Sequence, residues 1–106
     1  MIKRIGLIRR KSALTQEQFE SYWLNTHAAL ARKLPGLQRY CVNLLERERF
    51  AELGFDGFSE LWFESEAALN AALASPEGVM LLADLPNFTE KIYPVVVTEH
   101  RIVWPS

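Results

Sequence analysis

Segments with the alternation of strands and segments with the spacing of helices follow one another in the order strand, helix, strand, strand, helix, strand. The strands are predicted over residues 2–9, 37–46, 55–64 and 94–104. This order is typical of the split βαβ, or ferredoxin-like, arrangement. We therefore expect an α+β fold of the form βαββαβ, with a four-stranded antiparallel sheet and helices on one face. With 106 residues, the whole chain (1–106) is expected to form one domain.

The first helix has clear start and stop signals. Thr15 and Gln18 have the spacing of a capping box, and Leu14 and Phe19 have that of a hydrophobic staple around it. Pro35-Gly36 then ends the helix. On a regular α-helix, the apolar stripe that faces the sheet comprises Phe19, Tyr22, Trp23, Thr26, Leu30 and Leu34.

The second helical region is predicted to consist of two shorter helices. Ser65 caps the first of them, over residues 66–74, which are strong helix formers. Ser75-Pro76 opens the next, over residues 77–83. Residues 84–91 are predicted to be irregular.

The face of the sheet away from the helices is expected to need a cover. Hydrophobic residues make up 49% of the chain, and many alternate positions in the predicted strands are apolar. Two such sheets that pack face to face across a two-fold axis would cover each other. We therefore predict a homodimer that forms a barrel.

Composition argues against several classes of partner. The formal net charge is −1, and no run of like charge exceeds Arg9-Arg10-Lys11, so no nucleic-acid partner is expected. No stretch has the ~20 apolar residues of a membrane span, so no membrane partner is expected. The single cysteine, Cys41, favours a reducing, cytoplasmic setting. No phosphate-binding loop, nucleophile elbow or metal-ligand spacing is present in the sequence, so neither a cofactor nor a metal is predicted.

His27 and Tyr40 are the candidate catalytic residues. His27 lies toward the edge of the predicted helical stripe, and an imidazole titrates near 6.5, so it could act as acid, base or hydrogen-bond donor. Tyr40 follows the helix end and could donate a hydrogen bond to a substrate carbonyl or enolate. The structural alternatives are a buried histidine that fixes the helix and a core tyrosine with its hydroxyl at the rim.

Other polar and aromatic residues have more than one interpretation. Glu60 lies mid-strand, where it could pair with an arginine such as Arg39 or Arg101 of a second subunit, or face a pocket. Asp84 lies in the irregular stretch and could belong to a lid. Four aromatic residues could form the walls of a substrate pocket, although each could equally belong to the core: Trp23, Phe58, Trp62 and Phe88.

The chain resembles the EthD family of the dimeric α+β barrel superfamily. The resemblance covers nearly the whole chain and is carried by Trp23 four residues before His27, Leu34-Pro35-Gly36-Leu37, Tyr40, the strand at residues 56–63, and Val97-Thr98-Glu99-His100. It implies a ferredoxin-like dimer with a cavity between the helices and the sheet of each subunit. It also implies that His27 and Tyr40 are the polar pair of that cavity. Related proteins include methylmuconolactone methylisomerase, aromatic polyketide cyclases and cofactor-free monooxygenases, and the family often carries an oxidoreductase label.

The favoured hypothesis is a cofactor-independent enzyme that acts on a small apolar carbonyl or ring compound. It would be an isomerase, cyclase, dehydratase or oxygenase in which His27 moves a proton or polarises the carbonyl. The alternative is a non-catalytic module that binds a small molecule or assists a degradative oxygenase system. Haem handling on the same barrel is a third possibility, which a Soret band after haem titration would reveal.

Overall fold

The computed structural model describes residues 1–105 and shows a four-stranded antiparallel sheet with helices packed on one face. The strands are β1 (Ile2–Arg10), β2 (Arg39–Leu44), β3 (Gly57–Phe63) and β4 (Thr89–Thr98), in the spatial order β2-β3-β1-β4. The helices are α1 (Gln16–Ser21), α2 (Ala28–Ala31), α3 (Glu66–Ala74) and α4 (Pro76–Asp84). A π-helical segment (Tyr22–His27) joins α1 to α2, and 3₁₀ turns lie at Ala51–Leu53 and Leu85–Asn87. The ferredoxin-like α+β prediction is confirmed.

The predicted start of the first helix agrees with the structure, and its end comes slightly earlier than predicted, at Ala31. Thr15 accepts a hydrogen bond from the Gln18 amide at 3.1 Å, and the Gln18 side chain accepts one from the Thr15 amide at 2.9 Å. Leu14 packs against the buried cluster that contains Phe19. Gly36 has a φ of 76°, which a residue without a Cβ adopts without strain, and this positive φ follows the helix end.

The predicted stripe of this helix is wrong at one position, because the helix widens over Tyr22–His27. A π-helix makes i→i+5 hydrogen bonds, so residues four and five positions apart share a face. Counted from Trp23, those residues are His27 and Ala28, and all three are buried. Thr26 is three residues from Trp23 and is exposed instead. His27 is therefore only 6% exposed and lies within the core, not at its edge.

The last strand begins earlier than predicted and ends earlier. It covers Thr89–Thr98, whereas Ile102 and Val103 beyond it are 89% and 90% exposed. Pro94, the first residue of the predicted strand, lies in the middle of β4, opposite Gly6. A proline cannot donate a hydrogen bond to a sheet, and this is tolerated because β4 is an edge strand.

The two faces of the sheet have different surroundings. On β3, the alternate residues Ser59, Leu61 and Phe63 are buried beneath the helices. The other face, which we call the open face, is not covered by helices. It carries Phe58 and Trp62. The other residues whose side chains lie on this same face of the sheet are Lys3, Ile5, Leu7, Cys41, Asn43, Glu60, Tyr93, Val95 and Val97.

The core between helices and sheet forms two clusters. One contains Phe63 and Leu69 with their neighbours, and the other contains Phe19, Trp23 and Phe88. Within residues 1–105, no helix combines the length and apolar character that crossing a membrane requires. The π-helical segment contributes Trp23 to the second cluster and carries the residues described next.

Candidate active site

His27 is held by a carboxylate from another helix. Its Nδ1 lies 2.8 Å from Oδ2 of Asp84, the last residue of α4. The other oxygen of Asp84 accepts hydrogen bonds from the Tyr22 hydroxyl at 2.6 Å and from the Asn87 side chain at 3.0 Å. The carboxylate is therefore bound by three donors, and it orients the imidazole of His27.

The protonation states of this pair follow from burial and hydrogen bonding. Burial lowers the pKa of His27 below its usual 6.5, the nearby Arg4 charge lowers it further, and Asp84 only partly offsets both. Burial alone would raise the pKa of Asp84, but its hydrogen bonds from Tyr22, His27 and Asn87 outweigh that effect, and the pKa is lowered. At neutral pH, a neutral His27 thus donates its Nδ1 proton to an ionised Asp84. Its Nε2 is then an unprotonated base.

Tyr40 brings a phenol into the same region. Burial raises the pKa of Tyr40 to about 12, so the hydroxyl stays protonated. The Trp23 indole is close enough to lower that pKa slightly, but Tyr40 Oη and Trp23 Nε1 are both buried without a hydrogen bond of normal geometry. Buried polar atoms are rarely left without partners. Tyr40 therefore has a donor proton available for a ligand.

A ring packs against His27 on the core side. The centroid of Phe88 lies 4.6 Å from that of His27 and 5.2 Å from that of Tyr22, with which it stacks. Trp23 lies 6.1 Å from Phe88, and both are fully buried. These aromatic residues pack on the core side of the His27 imidazole and hold it in place.

A small cavity of about 20 Å³ lies in front of these groups, between the helices and the sheet. Its volume corresponds to about one water molecule. It brings His27 and Tyr40 together, as predicted. The residues that line it are Arg4, Ile8, His27, Ala31, Tyr40, Ser59, Leu61, Leu81, Leu82, Leu85 and Ile92. Within residues 1–105, no group of three or more His, Cys, Asp or Glu side chains could hold a metal ion.

None of the four aromatic residues predicted as pocket walls lines this cavity. Trp23 and Phe88 lie behind His27 in the core. Phe58 and Trp62 lie on the open face, where the Trp62 indole donates to Glu99 at 2.8 Å. The structure therefore does not bring Phe58 and Trp62 together with His27. The cavity walls are mainly aliphatic.

Glu60 is also on the open face, and within the single chain it already has partners. It pairs with Lys3 at 2.9 Å and accepts a hydrogen bond from Asn43. Arg101 pairs with Glu99 of its own chain at 2.8 Å, and a contact of Glu60 with an arginine of a second subunit stays a prediction. The register places Lys3 two residues from the position opposite Glu60 on the adjacent strand, within reach of a lysine side chain.

Sequence reasoning missed three residues of the site or misjudged them. Asp84 was expected in an irregular lid, but it ends α4 and holds His27. The helix dipole destabilises a carboxylate at a helix C-terminus. The position of Asp84 after a predicted helix therefore indicates that its carboxylate needs hydrogen-bond partners. Arg4 and Ser59 line the cavity from the sheet, and a charged or hydroxyl residue in a strand gives no comparable signal.

Comparison with known proteins shows the family of this chain. Residues 11–92 match the EthD domain. The chain belongs to the EthD family. This EthD domain is 26% identical over 87 residues to an uncharacterised 11.0 kDa protein from the thcB–thcC intergenic region of Rhodococcus erythropolis, covering 82% of this chain and 84% of the relative.

Solved structures agree with this assignment. An ethyl tert-butyl ether degradation (EthD) family protein from Bacillus halodurans is 26% identical, with a TM-score of 0.82 over 94% of this EthD domain and 99% of that chain. Hydroxynitrile lyase from Passiflora edulis is 19% identical, with a TM-score of 0.77 over 98% and 96% of the two chains. The second likeness is one of fold alone.

Proposed function

We propose that this EthD domain is a cofactor-independent enzyme that transfers protons on a small, mostly apolar carbonyl or ring compound. The reaction would belong to the isomerase, cyclase, dehydratase or oxygenase classes. One observation carries the proposal: a neutral His27 held by Asp84 shares an aliphatic cavity with Tyr40, whose buried hydroxyl has no partner. An enzyme, the hydroxynitrile lyase, has the same fold, which is compatible with catalysis here.

The chemistry follows from the two protonation states. Nε2 of His27 accepts a proton from a carbon next to the substrate carbonyl. The electron pair of that C–H bond forms the C=C bond of an enolate, and the π pair of the carbonyl moves to its oxygen. The Tyr40 hydroxyl donates a hydrogen bond to the resulting oxyanion. Asp84 stabilises the imidazolium that forms, and His27 returns the proton to the same or another carbon. General acid–base catalysis by a positioned side chain accelerates a reaction by about 10²–10⁴-fold.

The size of the cavity sets a condition on binding. Pockets for small ligands typically measure ~300–1,000 Å³, far above the 20 Å³ found here. Leu82 and Leu85 line the cavity at the end of α4 and the following turn, and both are partly accessible to solvent. A ring compound would enter by displacing these side chains, so the ligand-bound form is expected to be wider at this end.

Proton transfer can be tested without knowing the natural substrate. The assay measures deuterium incorporation from D₂O into acetophenone and an unsaturated γ-lactone by NMR. Wild-type protein is expected to accelerate incorporation, and His27→Gln to lose about 10²-fold or more of that acceleration. His100→Gln is the matched control, because His100 is exposed and lies beyond the end of β4. Equal incorporation with wild type and His27→Gln would contradict the proposal.

The second candidate is a non-catalytic binding or accessory protein for a degradative oxygenase system. The small, mainly aliphatic cavity favours it, since such a cavity can retain an apolar ligand without reacting with it. The discriminating measurement is recovery of the ligand after prolonged incubation. Quantitative recovery of every ligand that binds would favour this candidate, and consumption would favour the enzyme.

We also propose a homodimer formed through the open face. Val95 and Tyr93 on that face are 44% and 46% exposed in the single chain, beside Ile5 and Leu7. Apolar surface of this kind on a sheet is usually covered. A cytoplasmic location stays a prediction from the single Cys41, which is exposed and unpaired.

A further inference from the structure

Arg4 occupies an unusual position for an arginine. It lies on β1, a central strand, opposite Leu61 of β3 and Val96 of β4. Its side chain points to the helix-covered face, and the residue is only 8% exposed. Arginine is almost never this buried unless a carboxylate or another acceptor pairs with it.

No such partner is found within residues 1–105. None of the ion pairs in that range includes Arg4. The one carboxylate near the cavity, Asp84, is already bound by Tyr22, His27 and Asn87. Burial lowers the pKa of Arg4, but a guanidinium does not lose its proton in proteins. The cavity therefore contains a positive charge that no carboxylate of residues 1–105 neutralises.

The sheet leaves room for this side chain. A Cβ atom at Gly6 would lie 2.9 Å from Ser59 Oγ and 3.8 Å from Arg4 Nη1. The missing side chain of Gly6 thus leaves space over this strand position, and the hydroxyl and the guanidinium both border that space. Both residues line the cavity that contains His27 and Tyr40.

We propose that Arg4 binds an anionic group of the ligand, a carboxylate or enolate, so that the site takes small anions with an apolar body. A guanidinium offers paired donors that match two oxygen atoms of a carboxylate. Ser59 Oγ can add a third hydrogen bond, and the aliphatic walls suit the remainder of the molecule. This inference deepens the proposed function, and depends on it only for the assumption that a ligand enters this cavity.

The test is an equilibrium titration that needs no turnover. Benzoate and its neutral isostere benzamide are titrated into wild type, Arg4→Met and His27→Gln by calorimetry. Wild type is expected to bind benzoate at least about tenfold more tightly than benzamide. Arg4→Met is expected to weaken benzoate binding by roughly 10- to 100-fold and to leave benzamide unchanged. Its melting temperature should not fall, because a buried charge without a partner does not stabilise the fold.

A measurement on wild type covers the case in which Arg4→Met fails to fold. The Arg4 Nε–H resonance should shift on addition of benzoate and not of benzamide. Equal affinity for the two probes, binding of neither, or an unmoved Arg4 resonance would overturn the inference.

The two proposals can fail separately. A benzoate preference that persists in His27→Gln, without any deuterium incorporation by wild type, supports Arg4 and rejects the proton-transfer enzyme. Incorporation into neutral ketones that is unchanged in Arg4→Met, with no benzoate preference, rejects Arg4 alone.

Discussion

His27 and Asp84 are 57 residues apart in the chain and are joined by a 2.8 Å hydrogen bond. The bond ties the π-helical segment to the C-terminus of α4. A carboxylate at that terminus is opposed by the helix dipole, and its three hydrogen-bond donors offset this. The pair therefore combines a structural link between two helices with control of the His27 tautomer.

Replacing Asp84 by asparagine should separate these two roles. In Asp84→Asn, the amide no longer holds a proton on Nδ1, so the rate of deuterium incorporation should fall by about 10²-fold or more. The pKa of His27 should also drop, because Asp84 normally raises it, and the acidic limb of the pH–rate profile should move to lower pH.

The control for this substitution is Asn87→Ala, which removes one of the three donors to Asp84 and leaves the carboxylate charge. It should move the pH–rate profile much less. An Asp84→Asn variant with wild-type rate and an unmoved profile would show that the carboxylate only holds the helices together.

The free energy of unfolding should depend on pH through His27. Its pKa in the folded chain is below the usual 6.5, so the unfolded chain binds more protons in the interval between the two values. Stability should therefore be full above pH 6.5 and decrease as the pH falls below it toward the folded-state pKa. Urea denaturation at steps from pH 7.5 to 5 measures this slope.

His27→Gln should flatten the slope in that interval, and His100→Gln, at an exposed position, should retain it. If both variants keep the wild-type slope, His27 is not the group responsible, and its neutral state at pH 7 has to be reconsidered.

Tyr40 and Tyr22 provide a matched pair of tyrosine-to-phenylalanine changes. Tyr40→Phe removes a buried hydroxyl without a partner, and such a group costs about 1–3 kcal/mol, so stability should stay level or rise while the incorporation rate falls. Tyr22→Phe removes a hydrogen bond to an ionised Asp84, worth about 1.5–3 kcal/mol, so stability should fall. Urea denaturation of both variants gives the comparison. Destabilisation by Tyr40→Phe equal to that by Tyr22→Phe would mean that the Tyr40 hydroxyl has a structural partner.

Val95 and Val96 test the proposed dimer. They are adjacent on β4 and are 44% and 48% exposed, but they point to opposite faces of the sheet. Val95→Glu places a charge on the open face and should dissociate the dimer, whereas Val96→Glu should not. Sedimentation velocity measures both. If the two variants behave equally, the dimer interface does not lie on the open face. If the wild-type protein is monomeric, the proposed dimer is wrong.

The fold was predictable from the sequence because its signals are local. The capping box at Thr15 and Gln18, the Pro35-Gly36 stop and the strand alternation each act within a few residues, and together they identify one topology. The π-helical segment was not predictable in the same way. Sequence periodicity assumes 3.6 residues per turn, and the segment Tyr22–His27 departs from that winding.

The candidate site was predictable only in its two most conspicuous members. His27 and Tyr40 were identified, but Arg4 was not, because a charged residue in a strand looks solvated until the partner layer is known. Phe58 and Trp62 were assigned to the pocket on residue type alone. Their side of the sheet depends on strand register, which tertiary pairing decides.

The π-helical segment also sets the angular relation between the two halves of its helix. It holds more residues per turn than an α-helix, so it works as a spacer between the Phe19 end and the Ala31 end. A π-turn closes one residue later than an α-turn, so loss of one residue at its exposed side, such as Asn25, would restore α-helical winding and leave the following residues on nearly the same face. Ala28 and Ala31 would then stay in the core. The fold can therefore absorb a change of one residue in chain length at this point by changing the winding of a single turn.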